Sequence, residues 1–264
     1  MLFMDELTQF NQERWNALVE AGIQYGQPLL DLTPDSARTM VDDCGVMAPV
    51  GGKDVLCLAS GGGQQSPAFA LLGARVTVVD FAEKQLAQDA LALAHYGLTG
   101  RLEQGDMRDL SRFADNSFDL VWHAFSLNFI PDPLPVFDEV RRVLRPGGQY
   151  RLQHHNPLAM DADEERWDGY GYPVRTPQIQ GQEITFASDE WEIEQEDATV
   201  VRVVGPHEFR HTLPTILNGL CQRGFVLQAV REDPVGDPDA APGSWAHYCA
   251  VTCPWLTSWW QAAN

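Results

Sequence analysis

The stretch that decides the fold runs Val55-Leu56-Cys57-Leu58-Ala59-Ser60-Gly61-Gly62-Gly63-Gln64-Gln65. Its first five side chains are apolar, three consecutive glycines follow, and a helical period opens at Gln65. A short continuous apolar run is the pattern of a strand buried on both faces. Glycine after such a strand lets the backbone bend tightly and lets a ligand approach with no Cβ in the way. The helix beyond offers free N–H groups to a carboxylate or phosphate. The spacing Gly61-x-Gly63-x-x-Ser66 also suits a dinucleotide, so this loop alone does not choose its ligand.

Downstream the alternation repeats. Residues 76–80 form a second apolar run, and Glu83–His95 reads as a helix with Leu86, Ala87, Ala90, Leu91 and Ala94 at helical spacing. Arg101–Gln104 is a weaker strand with polar residues, suited to a sheet edge, and Phe118–His123 is another apolar strand. A helix over 134–144 is stopped by Pro146-Gly147-Gly148, and 149–154 is a further strand. Apolar strands each followed by a helix give a doubly wound, mostly parallel α/β sheet. Ligands bind such a sheet at the carboxyl ends of its strands, which places the site at residues 59–65, 80–81, 105–107 and 123–128.

The flanks read differently. Residues 1–48 supply two covering helices, near 5–21 and 34–44. Residues 156–205 are rich in Asp, Glu, Gly, Pro and Trp and read as a lid inserted over the sheet, with strands near 183–186 and 199–204. A helix over 212–223 follows, then strands Phe225–Glu232 and 245–253 as an antiparallel pair. The terminal Trp255-Leu256-Thr257-Ser258-Trp259-Trp260 reads as packing, or as a homodimer contact if exposed. No long Gly/Ser/Pro-rich linker divides the 264 residues, so a single domain, 1–264, is expected.

With 37 Asp plus Glu against 18 Lys plus Arg, the net charge is −19. Such a surface repels phosphate backbones and anionic lipid, which argues against nucleic acid and membrane as general partners. Arg141, Arg142 and Arg145 come closest to a basic patch and read as the solvated face of a helix. The five cysteines, Cys44, Cys57, Cys221, Cys249 and Cys253, are odd in number and lack a C-x-x-C pair. That argues against a disulfide framework and a zinc site. No apolar run approaches the roughly 20 residues of a membrane span, so a cytoplasmic protein is expected.

Two acids stand where a nucleoside would be read. Asp80 ends the second strand and can accept both ribose hydroxyls of an adenosine, or cap the helix that begins near Ala82. Asp106, after Gly105, can accept from an adenine amino group while the Met107 N–H donates to a ring nitrogen, or it can be a turn acid. The motifs VLCLASGGGQQ, VTVVDFAEKQL, GDMRDL and FDLVWHAFSLNFIPDPLPVFDEVRRVLRPGG together resemble the class I S-adenosylmethionine-dependent methyltransferases. The resemblance is strong over residues 50–155 and weaker through LCQRGFVLQAV.

It implies a seven-stranded sheet closed by an antiparallel C-terminal hairpin, with S-adenosylmethionine as cofactor. It implies cofactor contacts from Ala59, Ser60, Gly61, Gly63, Gln64, Asp80, Phe81, Gln85, Gly105, Asp106, Met107 and His123. Two departures stand out: Cys57 where the family often has an acid, and Ala59 for its first loop glycine. The methionine amino group then falls to Ser60, Gln64 or backbone carbonyls. The expected activity is methyl transfer to O, N or S of a small-molecule acceptor. A non-catalytic S-adenosylmethionine-binding protein is one alternative. An NAD-type dehydrogenase is the other, and it leaves Gly105-Asp106-Met107 and LRPGG without a role.

His123 is the candidate general base, because its strand ends beside the implied methyl; the alternative is a hydrogen-bonded structural histidine. His154 and His155 point to opposite sheet faces, and His154 is taken for the acceptor site together with Tyr25, Trp167 and Tyr172. These aromatics, with Trp15, Tyr170 and Trp191, could equally fill the core beneath the lid. His207-Glu208-Phe209-Arg210-His211 spells the letter pattern of a zinc helix. Gly205-Pro206 precede it and no third ligand is near, so no metal is expected.

Overall fold

In the computed structural model, which describes residues 5–47, 49–159, 166–186, 188–195, 197–233 and 235–263, the decisive apolar run becomes β1 (Asp54–Leu58). It lies between β2 (Arg75–Asp80) and β4 (Phe118–His123), parallel to both. Alternate side chains of β1 feed two cores, as the period of two requires. Leu56 and Leu58 pack with Phe137 and Val140 of α5 (Leu134–Val143) and Leu220 of α6 (Leu213–Gln222). Val55 and Cys57 pack on the other face with Val41 of α2 (Pro34–Asp42), Phe69 of α3 (Gln65–Leu71) and Leu93 of α4 (Glu83–His95). Cys57 is therefore a small buried apolar residue.

The sheet has seven strands in the order β3-β2-β1-β4-β5-β9-β8, with β3 (Arg101–Gln104) at one edge. Strands β5 (Leu144–His155), β9 (Trp255–Ala262) and β8 (Phe225–Glu232) form the antiparallel end. The strand order reverses between β1 and β4, which opens a crevice at their carboxyl ends. Among the described residues no helix is long and apolar enough to cross a membrane.

Four elements differ from expectation. Residues 245–253 are not a strand: α7 (Trp245–Thr252) forms there, capped by Ser244, which accepts the His247 N–H, and ended by Cys253 in a left-handed turn before Pro254. A Ser before and a Pro after an eight-residue apolar run mark a helix more strongly than a strand. The closing strand is instead β9, so the terminal tryptophans are interior: Trp259 and Trp260 are 2% and 1% exposed, one on each face. Among the described residues of 156–205 the paired strands are the hairpin β6 (Glu190–Glu194) with β7 (Val200–Val204), while Glu183 makes an isolated bridge to Phe209. The start of the N-terminal segment and residues 160–165 of the lid lie outside the described residues.

The fourth difference is the face of α4. Leu86 is buried, but Ala87, Ala90, Leu91 and Ala94 are exposed, and the buried set is Gln85, Leu86, Asp89, Ala92 and Leu93. Two polar residues on the inner face are intelligible only through what the glycine loop asks of them. Above the loop, the hairpin packs Trp191 and Ile193 against Trp15 and Leu18 of α1 (Glu6–Glu20), which roofs the crevice.

Candidate functional site

The loop after β1 is sunk into α4. Ala59 adopts φ 44°, a left-handed conformation uncommon for a residue with a Cβ and a mark of a constrained site. A Cβ on Gly61 would stand 2.5 Å from Gln85 Cβ, so only glycine fits there. The loop N–H groups are held by carboxylates: Gly61 N–H donates to Asp80 Oδ2 at 3.0 Å and Gly62 N–H to Asp89 Oδ2 at 3.2 Å. Asp80 Oδ1 also accepts the Ala82 N–H at 2.9 Å, so the capping role and a ligand role coexist in one carboxylate with lone pairs to spare. Burial pushes Asp80 up to about 6. Burial, with Asp80 nearby, pushes Asp89 up to about 7. Asp89 also accepts the Ser66 hydroxyl. Sequence reasoning missed Asp89; its signal was an acid three residues after Leu86, on the same helical face.

A cavity of about 930 Å³ runs from this loop along the strand ends. Ala59, Ser60, Gly61, Gln64, Asp80, Phe81 and Gln85 line one end, as expected of them. There the buried Gln65 Oε1 and Gln85 Oε1 have no hydrogen-bond partner among the described residues, and the Ser60 hydroxyl has the Cys57 sulfur beside it. At the other end stand Phe125, Gln153, His155, Glu208, Trp245 and Trp255. Asp80, Glu192 and Glu208 are the acids on the wall, and no Lys or Arg among the described residues joins them.

Other expected residues are elsewhere. Asp106 is off the wall: both its oxygens are held by Arg108, with Nη2 at 2.6 Å, and Arg108 also reaches Asp5 and Thr8. Gly63 is packed against Gln88 and Pro28 behind the loop, Gly105 donates its N–H to the Asp80 carbonyl at 2.9 Å, and Met107 is in the core. His123 is fully buried, with Nδ1 2.8 Å from the Tyr150 hydroxyl and Nε2 2.9 Å from Ser126 Oγ. Burial lowers it to about 3, so it stays neutral and acts as a strut; its neighbours Trp122, Ala124, Phe125 and Ser126 line the cavity instead.

The residues expected around the acceptor are also divided between the cavity wall and the core. His154 is buried on the far face, its Nδ1 2.7 Å from the His155 carbonyl, and His155 is the one on the wall, in phase with Gln153. Trp167 and Tyr172 cluster around His247 away from the cavity, with Tyr172 Oη 2.9 Å from His247 Nδ1. Tyr25 is on the wall, and Trp191, Trp245 and Trp255 take the places expected of Trp167 and Tyr172. The zinc-like pattern is not helical over residues 207–211: His207 turns out to Glu183, and His211 accepts from the Gln180 amide at Nδ1 and donates from Nε2 to the Leu127 carbonyl. Glu208 alone turns into the cavity.

A methyltransferase-domain family model matches residues 56–152, the span from β1 through most of β5. An uncharacterised methyltransferase of Bacillus subtilis, YbaJ, is 32% identical over 88% of this chain and 93% of its own length. A ubiquinone biosynthesis O-methyltransferase of Pseudomonas syringae is 34% identical over 50% of this chain and 56% of its own. A solved 1,6-didemethyltoxoflavin-N1-methyltransferase of Burkholderia thailandensis, holding S-adenosylhomocysteine, shares the fold at a TM-score of 0.59 and 12% identity, over 100% of this chain and 92% of its own. The chain belongs to the class I S-adenosylmethionine-dependent methyltransferases. Its methyl donor is S-adenosylmethionine, and the dehydrogenase reading falls away.

Proposed function

We propose that the chain transfers the methyl group of S-adenosylmethionine to an oxygen, nitrogen or sulfur of a small molecule bound in the same cavity. The observation that supports it is the continuity of that cavity, from a glycine loop edged by acceptors to an aromatic, acid-lined chamber. The loop end fits the donor. Asp80 keeps lone pairs for ribose hydroxyls, and the unpaired Gln65 Oε1 and Gln85 Oε1 suit an ammonium or hydroxyl donor. Ser60 and Gln64 border the same end and take the place of the acid absent at Cys57. Arg108 holds the Asp106 carboxylate, so an adenine contact from that acid would require the Arg108 pair to open.

When bound, S-adenosylmethionine supplies an electrophilic methyl on sulfur. The chain's own work is placement: Phe81 and the loop fix the donor, the aromatic wall holds the acceptor, and the α1–hairpin roof keeps water out. The relative named as a ubiquinone biosynthesis O-methyltransferase and the aromatic side chains of the wall make aromatic hydroxyl acceptors the first to try. Calorimetry with S-adenosylhomocysteine, followed by methylation of a panel of phenols, arylamines and thiols, tests the proposal. Cofactor binding with turnover of at least one class is expected. Binding without turnover over the panel would leave only a cofactor-binding protein.

A further inference from the structure

Three observations at the far end of the cavity point to one role. Glu208 is a buried carboxylate, with its side chain 7% exposed, yet it stands on the cavity wall. Asn128 Nδ2 donates to its Oε2 at 2.6 Å, and His155 Nε2 stands 3.5 Å from the same oxygen. The His155 ring is fixed edge-on against Phe125, with centroids 4.5 Å apart, and no hydrogen bond is made to its Nδ1 among the described residues. A buried carboxylate is costly unless something on the protein or in a ligand uses its charge. A histidine oriented through one nitrogen by a carboxylate, with the other nitrogen free, is the arrangement of a general base. The 3.5 Å separation is of the kind that tightens when a ligand fills the site.

We infer that His155 and Glu208 form the proton-accepting dyad for a neutral, planar aromatic acceptor carrying an O–H or N–H nucleophile. The inference rests on the methyl-transfer reading and adds the acceptor's class and the destination of its proton. A lone pair of the acceptor's oxygen or nitrogen forms the bond to the methyl carbon, and the carbon–sulfur bonding pair stays on sulfur. The proton leaves the acceptor for His155 Nδ1, and the resulting imidazolium faces the Glu208 carboxylate. Charge within the cavity is thereby redistributed without an ion being lost to or drawn from solvent.

The surroundings leave Glu208 as the charge that matters to His155. His154 on β5 and His211 from the segment before α6 also couple to it, but burial lowers both to about 4, so they are neutral. Asp233 is spoken for by Gln153 and Thr257, and Glu192 and Asp80 are the remaining acids of the wall. An anionic acceptor would meet Glu208, Glu192 and Asp80 with no Lys or Arg among the described residues of the wall to offset them. Phe125, Trp245, Trp255 and Trp191 suit a flat ring instead.

The test uses 4-nitrophenol, whose phenolate absorbs in the visible, titrated into the full chain loaded with S-adenosylhomocysteine at a pH below the phenol's own pKa. Wild type should bind it and develop the phenolate band. His155→Gln should bind it with the band absent, and Glu208→Gln should lower the ionised-to-neutral ratio about tenfold or more, both with unchanged S-adenosylhomocysteine affinity. 4-Hydroxybenzoate should bind at least about tenfold more weakly than phenol. Binding without ionisation in wild type, equal bands in wild type and both variants, or no phenol binding would each overturn the dyad while leaving cofactor binding intact. Failure of wild type to bind S-adenosylhomocysteine would instead sink the methyl-transfer reading itself. Should His155→Gln lose the fold, the Glu208→Gln band decides.

Discussion

Asp80 is asked to do two things with one carboxylate, holding the Gly61 and Ala82 N–H groups and accepting the ribose hydroxyls, and its protonation state decides the second. Raised by burial to about 6, it is ionised above that pH and protonated below it. S-adenosylhomocysteine affinity should therefore be flat above pH 7 and fall on acidification through about 6, and Asp80→Asn should abolish that dependence at a uniformly weaker affinity. Calorimetry across that range checks it; an affinity that rises with acid would show that Asp80 does not meet the ligand as an anion. The position of Asp80 was legible in the sequence, because the end of a second strand after a glycine loop has one geometry. The histidines were not. Alternation says that His154 and His155 face opposite ways, but which one meets the cavity depends on the pairing of β5 with β9, where His155 lies opposite Trp255. His123 was placed correctly along its strand, and its ring direction was invisible until Tyr150 and Ser126 were seen to hold both nitrogens.

At the scale of elements, α4 shows how a functional loop overrides a helical pattern. Its alanines and Leu91 offered an apolar face, but Gln85 and Asp89 are drawn inward by the glycines, and the helix rotates to suit. The cost is a buried acid. Asp89 has its folded pKa raised to about 7 from 3.8, so its contribution to stability is full below about 3.8 and is lost as pH rises through about 7. Asp89→Asn keeps an oxygen for the Gly62 N–H, turns its amide N–H toward the Ser66 hydroxyl, which can rotate to accept it, and carries no charge. The melting temperature of the variant relative to wild type should therefore climb as pH rises between those limits, each kcal/mol being worth about 2–4 °C for a domain of this size. A difference that shrinks as pH rises would contradict the assignment. The hairpin β6–β7 gives a second expectation: Trp191 packs edge-on against Trp15 at 5.9 Å and lines the cavity. Trp191→Ala should weaken binding of a phenol several-fold and leave S-adenosylhomocysteine affinity within about twofold of wild type, by the cost of one edge-on aromatic pair. The opposite split, read by paired titrations, would put the hairpin on the cofactor side. Residues 245–253 read as the closing strand, and the terminal tryptophans as packing or a dimer contact, because both runs are short and apolar and only the Ser244 cap and Pro254 separate them.

For the whole molecule, the parallel half of the sheet was legible because its strands are buried on both faces and punctuated by glycine. The lid was not, since residues 156–205 have no period strong enough to set their packing. The net charge of −19 and the three wall acids, unmatched by Lys or Arg among the described residues, act in one direction, against anionic acceptors. All of this depends on the loop end of the cavity holding the methyl donor. The most direct test is a calorimetric titration of S-adenosylhomocysteine into wild type and Asp80→Ala at neutral pH. One site per chain is expected in wild type, with affinity in the variant lower by about 1.5–3 kcal/mol for each ribose hydrogen bond lost, a drop of at least about tenfold. Equal affinity in the two proteins, with the variant folded, would contradict the account.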